Sequence, residues 1–304
     1  MKSILTIILI LFSLAGNSFT SGSVTEAKQP RKLTDYLASK PEYAKTKHAM
    51  ARFRANKIPA VGIAVHRAAN EFAPENTLSA MQIALDLEAD YIEMDVRQTR
   101  DGISVLLHDG TLNRTTTGKG PVNELNFKEA RELSAGSWFD SFFKEEKVPT
   151  LEEACRLLAD HNEKNKHKTY FYVDCKEINA KVLIDNLSQY NLLEGSVFYI
   201  NDLRQINQIR SLASGAKILP GLDSAKDLDR MIDTYHPYAL DANWNELSRE
   251  LIDKAHQKGV KIFSDGFGKN ESPDSYYQAI KAGIDVISTN KISVICEAAE
   301  KISN

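Results

Sequence analysis

The chain has 304 residues with a formal net charge of -3, and 42% of its residues are apolar. This is enough apolar sequence for one large core, and the near-balanced charge gives no indication of nucleic acid as a partner. The three cysteines, Cys155, Cys175 and Cys296, are odd in number and lack a CxxC spacing. They therefore indicate neither a zinc site nor a disulfide framework.

Residues 1–22 have the pattern of a targeting segment. Lys2 supplies a positive start, an apolar run covers 4–14, and small and polar residues follow. The run is too short to span a bilayer, so we expect a cleaved signal peptide and no transmembrane span in the mature chain. This predicts export to the periplasm or the medium. Lipid attachment is not expected, because no cysteine lies near the end of the segment.

Residues 23–60 form a polar extension with nine Lys or Arg against three Asp or Glu. A helix is predicted from Pro41 to about Asn56. Two interpretations stay open for this basic segment: attraction to an anionic surface, or a solvated helix packed on the outside of the domain that follows.

Short apolar runs alternate with helical patterns from Val61 onward. Strands are predicted at 61–67, 91–99, 103–109, 170–177, 196–201, 217–222, 239–243, 261–265 and 285–289, with amphipathic helices between most of them. The alternation indicates a parallel sheet, and a barrel of this kind takes up ~250 residues. We therefore predict an α/β fold, a TIM-like (β/α)8 barrel that forms a catalytic domain over 61–304.

The ninth strand is explained by a hairpin. Only the turn dipeptide Asp101-Gly102 separates 91–99 from 103–109, too little for a parallel crossover. If the hairpin folds there, residues whose numbers sum to about 203 lie opposite each other, and Asp95 faces His108.

Residues 110–147 interrupt the α/β rhythm and are predicted to be a small insertion from one end of the barrel. They contain Trp138, Phe139, Phe142 and Phe143. These aromatic side chains either wall a substrate pocket or form the insertion's own small core.

Three acidic residues are candidates for a metal site. Glu93 and Asp95 are two residues apart on a strand and share a face, and Asp174 has the same spacing to Lys176 on another strand. Unpaired carboxylates on an interior face are costly, and a hard divalent cation, Ca2+ or Mg2+, would neutralise them. The alternative is a salt bridge from Glu93 or Asp95 to Arg67 or Lys176.

Two histidines flank these acids in the sequence. His66 ends a strand whose inner face is Gly62, Ala64 and His66, and His108 ends the return strand of the hairpin. Together they suit a general acid and a general base. Arg67 is out of phase with His66 and must turn at the strand end to reach the same pocket. With Lys176 and a cation it would form a positive floor that fits an anionic phosphodiester.

These motifs resemble the glycerophosphodiester phosphodiesterase family, whose pattern runs HRG, PENT, ExD and HD. Here the pattern is His66-Arg67-Ala68, 74–77, Glu93-Met94-Asp95 and His108-Asp109, with further likeness at 112–116, 148–153 and 283–290. The resemblance covers about residues 61–295. It implies a TIM-like barrel that releases sn-glycerol 3-phosphate and an alcohol from a small-molecule phosphodiester. It also implies roles for the matching residues: His66 and His108 in acid–base catalysis, Glu93, Asp95 and Asp174 as metal ligands, and Arg67 and Lys176 in phosphate binding.

Four positions depart from the family pattern. Ala68 replaces a Gly, Asp174 a Glu, Ser264-Asp265 a Trp-Thr pair, and Asn290 a common Asp. A positive φ at Ala68 would be strained, and the loss of the Trp removes an aromatic pocket wall. The alternatives to the expected activity are the same chemistry on another head group or a lysophospholipid, a metal-free mechanism, or a non-catalytic barrel.

Overall fold

The structure is a computed structural model that describes residues 32–55 and 61–303. The predicted signal peptide, the start of the polar extension and residues 56–60 lie outside the described residues. No helix in the described part of the chain is both long and apolar enough to cross a membrane.

The described residues form ten strand segments in one sheet. They are β1 Gly62–Val65, β2 Tyr91–Gln98, β3 Ser104–Leu106, β4 Tyr170–Cys175, β5 Val197–Tyr199, β6 Lys217–Leu219, β7 Gly221–Leu222, β8 Ala239–Ala242, β9 Lys261–Asp265 and β10 Val286–Thr289. The sheet order is β6-β5-β4-β2-β1-β10-β9-β8-β7, with parallel neighbours, and β3 pairs antiparallel with β2.

The two ends of this sheet meet at a single residue. Pro220 alone separates β6, which pairs with β5, from β7, which pairs with β8. The backbone N–H of Tyr238 donates to Ile218 and that of Asp241 to Pro220, so the barrel is joined here as well. The predicted strand at 217–222 is thus divided, because proline has no N–H to donate to a ladder. With β6 and β7 counted as one interrupted strand and β3 left aside, the predicted parallel barrel is confirmed.

Helices cover the outside of the barrel. They are α1 Leu33–Ala38, α2 Pro41–Ala55, α3 Leu78–Asp86, α4 Phe127–Glu132, α5 Leu151–Lys164, α6 Ala180–Gln189, α7 Leu203–Leu212, α8 Leu228–Tyr235, α9 Arg249–Gln257, α10 Pro273–Ala282 and α11 Ile292–Ser303. Several begin at a capping side chain, as at Thr150 of α5, whose hydroxyl accepts from the backbone of Glu153 while Glu153 bonds back.

The predicted helix that begins at Pro41 is α2, and it packs on α11. Met50 and Phe53 of α2 are buried, Cys296 of α11 contacts Met50, and Arg52 pairs with Glu300 at 2.7 Å. These contacts agree with a helix packed on the outside of the barrel. The attraction of its basic face to an anionic surface stays a hypothesis.

Segment 110–147 has little regular structure beyond α4 and two short 3-10 helices. Its apolar side chains Leu112, Val122 and Ala135 form a satellite cluster with Val105. The four aromatic residues pack against one another instead, and Phe142 stacks on Tyr36 of α1 at 4.5 Å. Phe139, Phe142 and Phe143 therefore extend the main core towards α1, whereas Trp138 stays exposed.

The barrel interior is filled by side chains from alternate strand positions. Ala64, Tyr172, Leu219, Phe263 and Val286 are among the members of one buried cluster inside the sheet. Ala64 belongs to the predicted inner face of β1. Small residues below His66 and aromatic ones on neighbouring strands close the interior, so the open space lies above them at the carboxyl ends of the strands.

Candidate active site

A cavity of about 280 Å³ opens at the carboxyl ends of the strands. All seven residues predicted for the site line it, and the structure adds five more. The described residues that line it are His66, Arg67, Glu93, Asp95, His108, Tyr172, Asp174, Lys176, Tyr199, Asp241, Asp265 and Phe267. Parallel strands all end at this face of the barrel, which is why residues distant in sequence meet there.

The three predicted carboxylates converge. Glu93 and Asp95 lie on the inner face of β2, and Asp174 pairs in register with Asp95 on the adjacent strand β4. Each residue offers one oxygen, and these oxygens lie within 4.8 Å of one another. An all-oxygen set of this kind fits a hard divalent cation.

Burial makes these charges expensive. It raises the pKa of Glu93 well above its ordinary value, and the nearby Asp95 charge adds to the effect. Burial also raises the pKa of Asp174, against the opposing hydrogen bond from Lys176. Since carboxylates in such surroundings favour the neutral form, a cation that stabilises the ionised form suits this position.

The two predicted cations contact the same carboxylates. Lys176 Nζ lies 2.5 Å from Asp174 Oδ2 and 3.6 Å from Asp95 Oδ1, and Arg67 Nε lies 3.8 Å from Asp95 Oδ2. The salt bridges considered as the alternative to a metal site are therefore present at Asp95. They coexist with the convergence of the three acids.

Asn76 fixes the position of Asp95. Its Nδ2 donates to Asp95 Oδ2 at 2.8 Å, and its Oδ1 accepts from the Asp95 backbone N–H at 3.2 Å. Asn76 is buried and has a left-handed φ of 55°, which an Asn tolerates better than most side chains. No role was predicted for Asn76 from the sequence, although it is part of the PENT motif.

The backbone after His66 turns sharply. Arg67 and Ala68 have φ values of 49° and 63°, so the strain predicted at Ala68 is confirmed. This turn brings the backbone N–H of Arg67 to 2.6 Å from Glu93 Oε2 and that of Ala68 to the Glu93 carbonyl. It also turns the Arg67 side chain into the cavity, as the out-of-phase position required.

Both histidines are held through Nδ1. His66 Nδ1 lies 2.8 Å from Asn290 Oδ1, which also accepts from Asn70, and the ring stacks on Phe267 at 4.1 Å. Burial lowers the pKa of His66 to about 4, against the hydrogen bond to Asn290. His66 is therefore a neutral imidazole near pH 7.

His108 Nδ1 lies 2.8 Å from Asp109 Oδ1. Arg114 donates two hydrogen bonds to Asp109 and two more to Glu75. Glu75 also accepts a hydrogen bond from Arg67. The hydrogen bond from Arg114 holds the pKa of Asp109 far below its usual range. A chain of charged contacts thus orients both His108 and Arg67.

The predicted register of the hairpin is wrong by one residue. Val96 pairs with Leu106 and Gln98 with Ser104, so opposite residues sum to 202 and Asp95 lies opposite Leu107. The reason is the loop, in which Thr99 bonds to Ile103 around three residues and Gly102 has a φ of 78°. His108 follows Leu107, the last residue of the hairpin whose backbone N–H bonds to β2, and it lines the cavity from there.

Comparison with known proteins identifies the family. The model of the glycerophosphoryl diester phosphodiesterase family matches residues 66–294. A glycerophosphodiester phosphodiesterase of Caldanaerobacter subterraneus is 30% identical over 249 residues, which cover 79% of this chain and 98% of the relative. The chain belongs to the glycerophosphoryl diester phosphodiesterase family.

Solved structures agree with this family in fold. A glycerophosphodiester phosphodiesterase from Agrobacterium tumefaciens is 27% identical with a TM-score of 0.70, covering 78% of this chain and 99% of that one. An Oleispira antarctica phosphodiesterase, solved in complex with the product sn-glycerol-3-phosphate, has a TM-score of 0.70 at 20% identity, covering 80% and 97%. The second likeness shows the barrel fold.

The remaining departures of this phosphodiesterase from the family pattern have distinct effects. Asn290 serves His66 as a neutral partner. The hydroxyl of Ser264 donates to the Ala242 carbonyl, and Ser264 is fully buried beneath the cavity surface. Asp265, in contrast, lines the cavity. Burial raises the pKa of Asp265 to about 6. The shorter Asp174 still reaches the carboxylate cluster.

Five residues lining the cavity of this phosphodiesterase were not predicted as site residues: Tyr172, Tyr199, Asp241, Asp265 and Phe267. Alternation along β4 and β8 could have revealed Tyr172, which shares a face with Asp174, and Asp241, which shares one with Ala239. Phe267 lies in a loop, and no periodic signal marks it.

Proposed function

We propose that this protein hydrolyses glycerophosphodiesters to sn-glycerol 3-phosphate and an alcohol by acid–base catalysis with His66 and His108. The observation that carries this proposal is the cavity itself. Two imidazoles, each held through Nδ1, line it together with two cations and three convergent carboxylates. Family membership adds the substrate class.

Arg67 and Lys176 are proposed to bind the phosphate. Arg67 Nε is buried and makes no hydrogen bond with any described residue, so it is free to donate to a phosphoryl oxygen. Lys176 reaches the same region from β4, and the bond to Asp174 raises its pKa although burial opposes this. Both side chains would meet the negative charge that develops on the non-bridging oxygens.

The protonation state of His66 suggests how the two histidines divide the work. A neutral imidazole can accept the proton of the nucleophile through Nε2, because Nδ1 is engaged with Asn290. Protonation of the departing alkoxide then falls to His108, whose ring Asp109 orients. The nucleophile is either water or a hydroxyl of the substrate. The net reaction consumes one water and breaks one P–O bond.

We propose Ca2+ or Mg2+ as the divalent cation, held by Glu93, Asp95 and Asp174. When bound, such an ion supplies Lewis-acid stabilisation of phosphoryl charge. Asn76 and the Arg67 backbone N–H orient two of these carboxylates by hydrogen bonds.

The test is turnover of glycerophosphocholine, with EDTA and with added Ca2+ or Mg2+. His66→Ala and His108→Ala should each reduce kcat by at least about a hundredfold, in line with general acid–base contributions, while circular dichroism stays unchanged. His48→Ala, which alters an exposed histidine on α2, is the control. Normal turnover in either active-site variant would contradict the acid–base assignment, and full activity in EDTA would contradict the cation.

We also propose that the protein is exported, on the basis of the sequence pattern of residues 1–22. Sequencing the N-terminus of protein recovered from the periplasm or the medium should find the first residues removed. Recovery of the uncleaved chain from the cytoplasm would contradict this proposal.

A further inference from the structure

A second cavity of about 330 Å³ lies beside the catalytic one at the barrel mouth. The residues that line it include Tyr199, Asp223, Asp241, Trp244, Asp265 and Phe267. Four of these residues, Tyr199, Asp241, Asp265 and Phe267, also line the catalytic cavity. The two cavities therefore adjoin at these four residues, and a molecule bound at the catalytic residues that extends past them enters the second space, here called the acidic subsite.

Among the described residues, the lining of the acidic subsite includes three carboxylates, Asp223, Asp241 and Asp265, and no lysine or arginine. The Tyr172 hydroxyl donates to Asp241 Oδ2 at 3.1 Å, but the buried Oδ1 has no hydrogen-bond partner among the described residues. A buried carboxylate oxygen without a partner is costly, so a ligand that donates to it or carries positive charge would stabilise it.

Aromatic rings complete the lining. Trp244 is fixed by a hydrogen bond from its Nε1 to Ser275 Oγ at 3.0 Å and by an edge contact with Tyr276. Tyr199 and Phe267 join it from other strand ends. Aromatic faces combined with carboxylates form the surroundings that recognise organic ammonium groups.

A metal ion suits this subsite less well. Within the described residues, the one group that brings three ligand atoms to metal-binding spacing is Glu93, Asp95 and Asp174. The carboxylates of the acidic subsite do not converge in that way. They suit a larger cation that spreads its charge over several contacts.

We propose that the acidic subsite binds the alcohol half of the diester and selects an alcohol that carries a positively charged amine, such as ethanolamine or choline. The inference rests on the proposed function, in which the substrate has a glycerol half and an alcohol half. The glycerol half is uncharged, so only the alcohol half can bring a positive charge to Asp241 or Asp265. An anionic alcohol would meet repulsion from the same carboxylates.

The test compares two esters of equal shape, glycerophosphocholine and its neutral isostere glycerophospho-3,3-dimethylbutanol, in which carbon replaces nitrogen. The native enzyme should favour the cationic ester in kcat/KM by about tenfold, within the range expected for a cation over aromatic rings beside a carboxylate. Asp241→Asn, Asp265→Asn and Trp244→Leu should each move the ratio towards one. The ratio cancels any general loss of activity in these variants.

Asp233→Asn is the matched control, since it removes the same charge from an exposed position on α8 and should leave the ratio unchanged. Equal kcat/KM for the two esters, or a preference that survives in both Asp variants, would overturn the subsite while the proposed function stands. If neither ester is hydrolysed, the proposed function fails. In that case, dissociation constants measured by calorimetry for the two esters test whether the acidic subsite prefers the cationic alcohol. Equal affinities would refute this preference.

Discussion

At the scale of single residues, the site depends on side chains that support the catalytic ones. Asn76 holds Asp95 through two hydrogen bonds, and Asn290 holds His66. Such partners fix the orientation of a ligand or a base, and the loss of one typically costs about ten- to a hundredfold in metal affinity or activity.

Asn76→Ala should weaken binding of Ca2+ or Mg2+ by about ten- to a hundredfold, because Asp95 loses its orienting amide. Isothermal titration calorimetry measures this effect. Asn191→Ala is the matched control, since Asn191 has nearly the same φ, 56°, and is exposed and outside the cavity lining. An equal loss of metal affinity in both variants would point to backbone strain rather than to the hydrogen bond.

The buried His66 predicts a pH dependence of stability. Its pKa is lowered from 6.5 to about 4, so the unfolded chain takes up the proton first as the pH falls. The contribution of the neutral His66 to the free energy of unfolding is complete above pH 6.5, the pKa of His66 in the unfolded chain. It is lost as the pH falls from 6.5 to about 4. His66→Gln should therefore show a smaller decrease in the free energy of unfolding across this interval.

Urea denaturation in EDTA at several pH values within this interval measures the decrease. The difference between the native protein and His66→Gln cancels the contribution of other titrating groups. His48→Gln should follow the native protein. Parallel curves for the native protein and His66→Gln would refute the buried neutral imidazole.

At the scale of elements, the β2–β3 hairpin delivers His108 to the cavity. Its register is set by a three-residue loop with Gly102 at a φ of 78°, where a Cβ would meet no other atom. A substitution at Gly102 therefore costs only backbone strain and leaves the pairing of the strands in place.

Gly102→Ala should destabilise the protein by about 1 kcal/mol, the cost of placing Ala in a left-handed conformation, with kcat/KM unchanged. Chemical denaturation and a turnover assay measure the two quantities. Gly215→Ala is the control, because Gly215 is also exposed with open space at its Cβ but lacks a positive φ. A large loss of activity in Gly102→Ala would show that the loop shifts His108.

At the scale of the whole molecule, five carboxylates line the catalytic cavity: Glu93, Asp95, Asp174, Asp241 and Asp265. Burial raises the pKa of Asp241 well above its ordinary value, and the charges of Asp265 and Asp174 add to this shift. Burial also raises the pKa of Asp265, and the charge of Asp174 adds to that shift as well. Concentrated acids of this kind favour binding of cations at the expense of stability.

Glu93→Gln should therefore raise the melting temperature measured in EDTA by a few degrees, because it removes one buried acid and keeps an acceptor for the Arg67 N–H. The same variant should lose most of the rise in melting temperature that Ca2+ or Mg2+ gives the native protein. Glu163→Gln, exposed on α5, should change neither value. A lower melting temperature in EDTA would show that Glu93 stabilises the fold.

The amino-acid sequence was enough to predict the parallel barrel and seven of the twelve described residues that line the cavity. Strand periodicity indicates which side chains point inward, and parallel strands end at one face of the barrel. The sequence also identified the strained Ala68. These features follow from local pattern and from the order of elements along the chain.

Other features became known from the three-dimensional structure alone. They are the hairpin register, the division of the strand at Pro220 and the supporting contacts of Asn76, Asn290 and Arg114. The tertiary structure also brought Asp241, Trp244 and Phe267 together into the acidic subsite. These features depend on loop conformation and on distances between elements far apart in the chain. A periodic pattern carries no information on either.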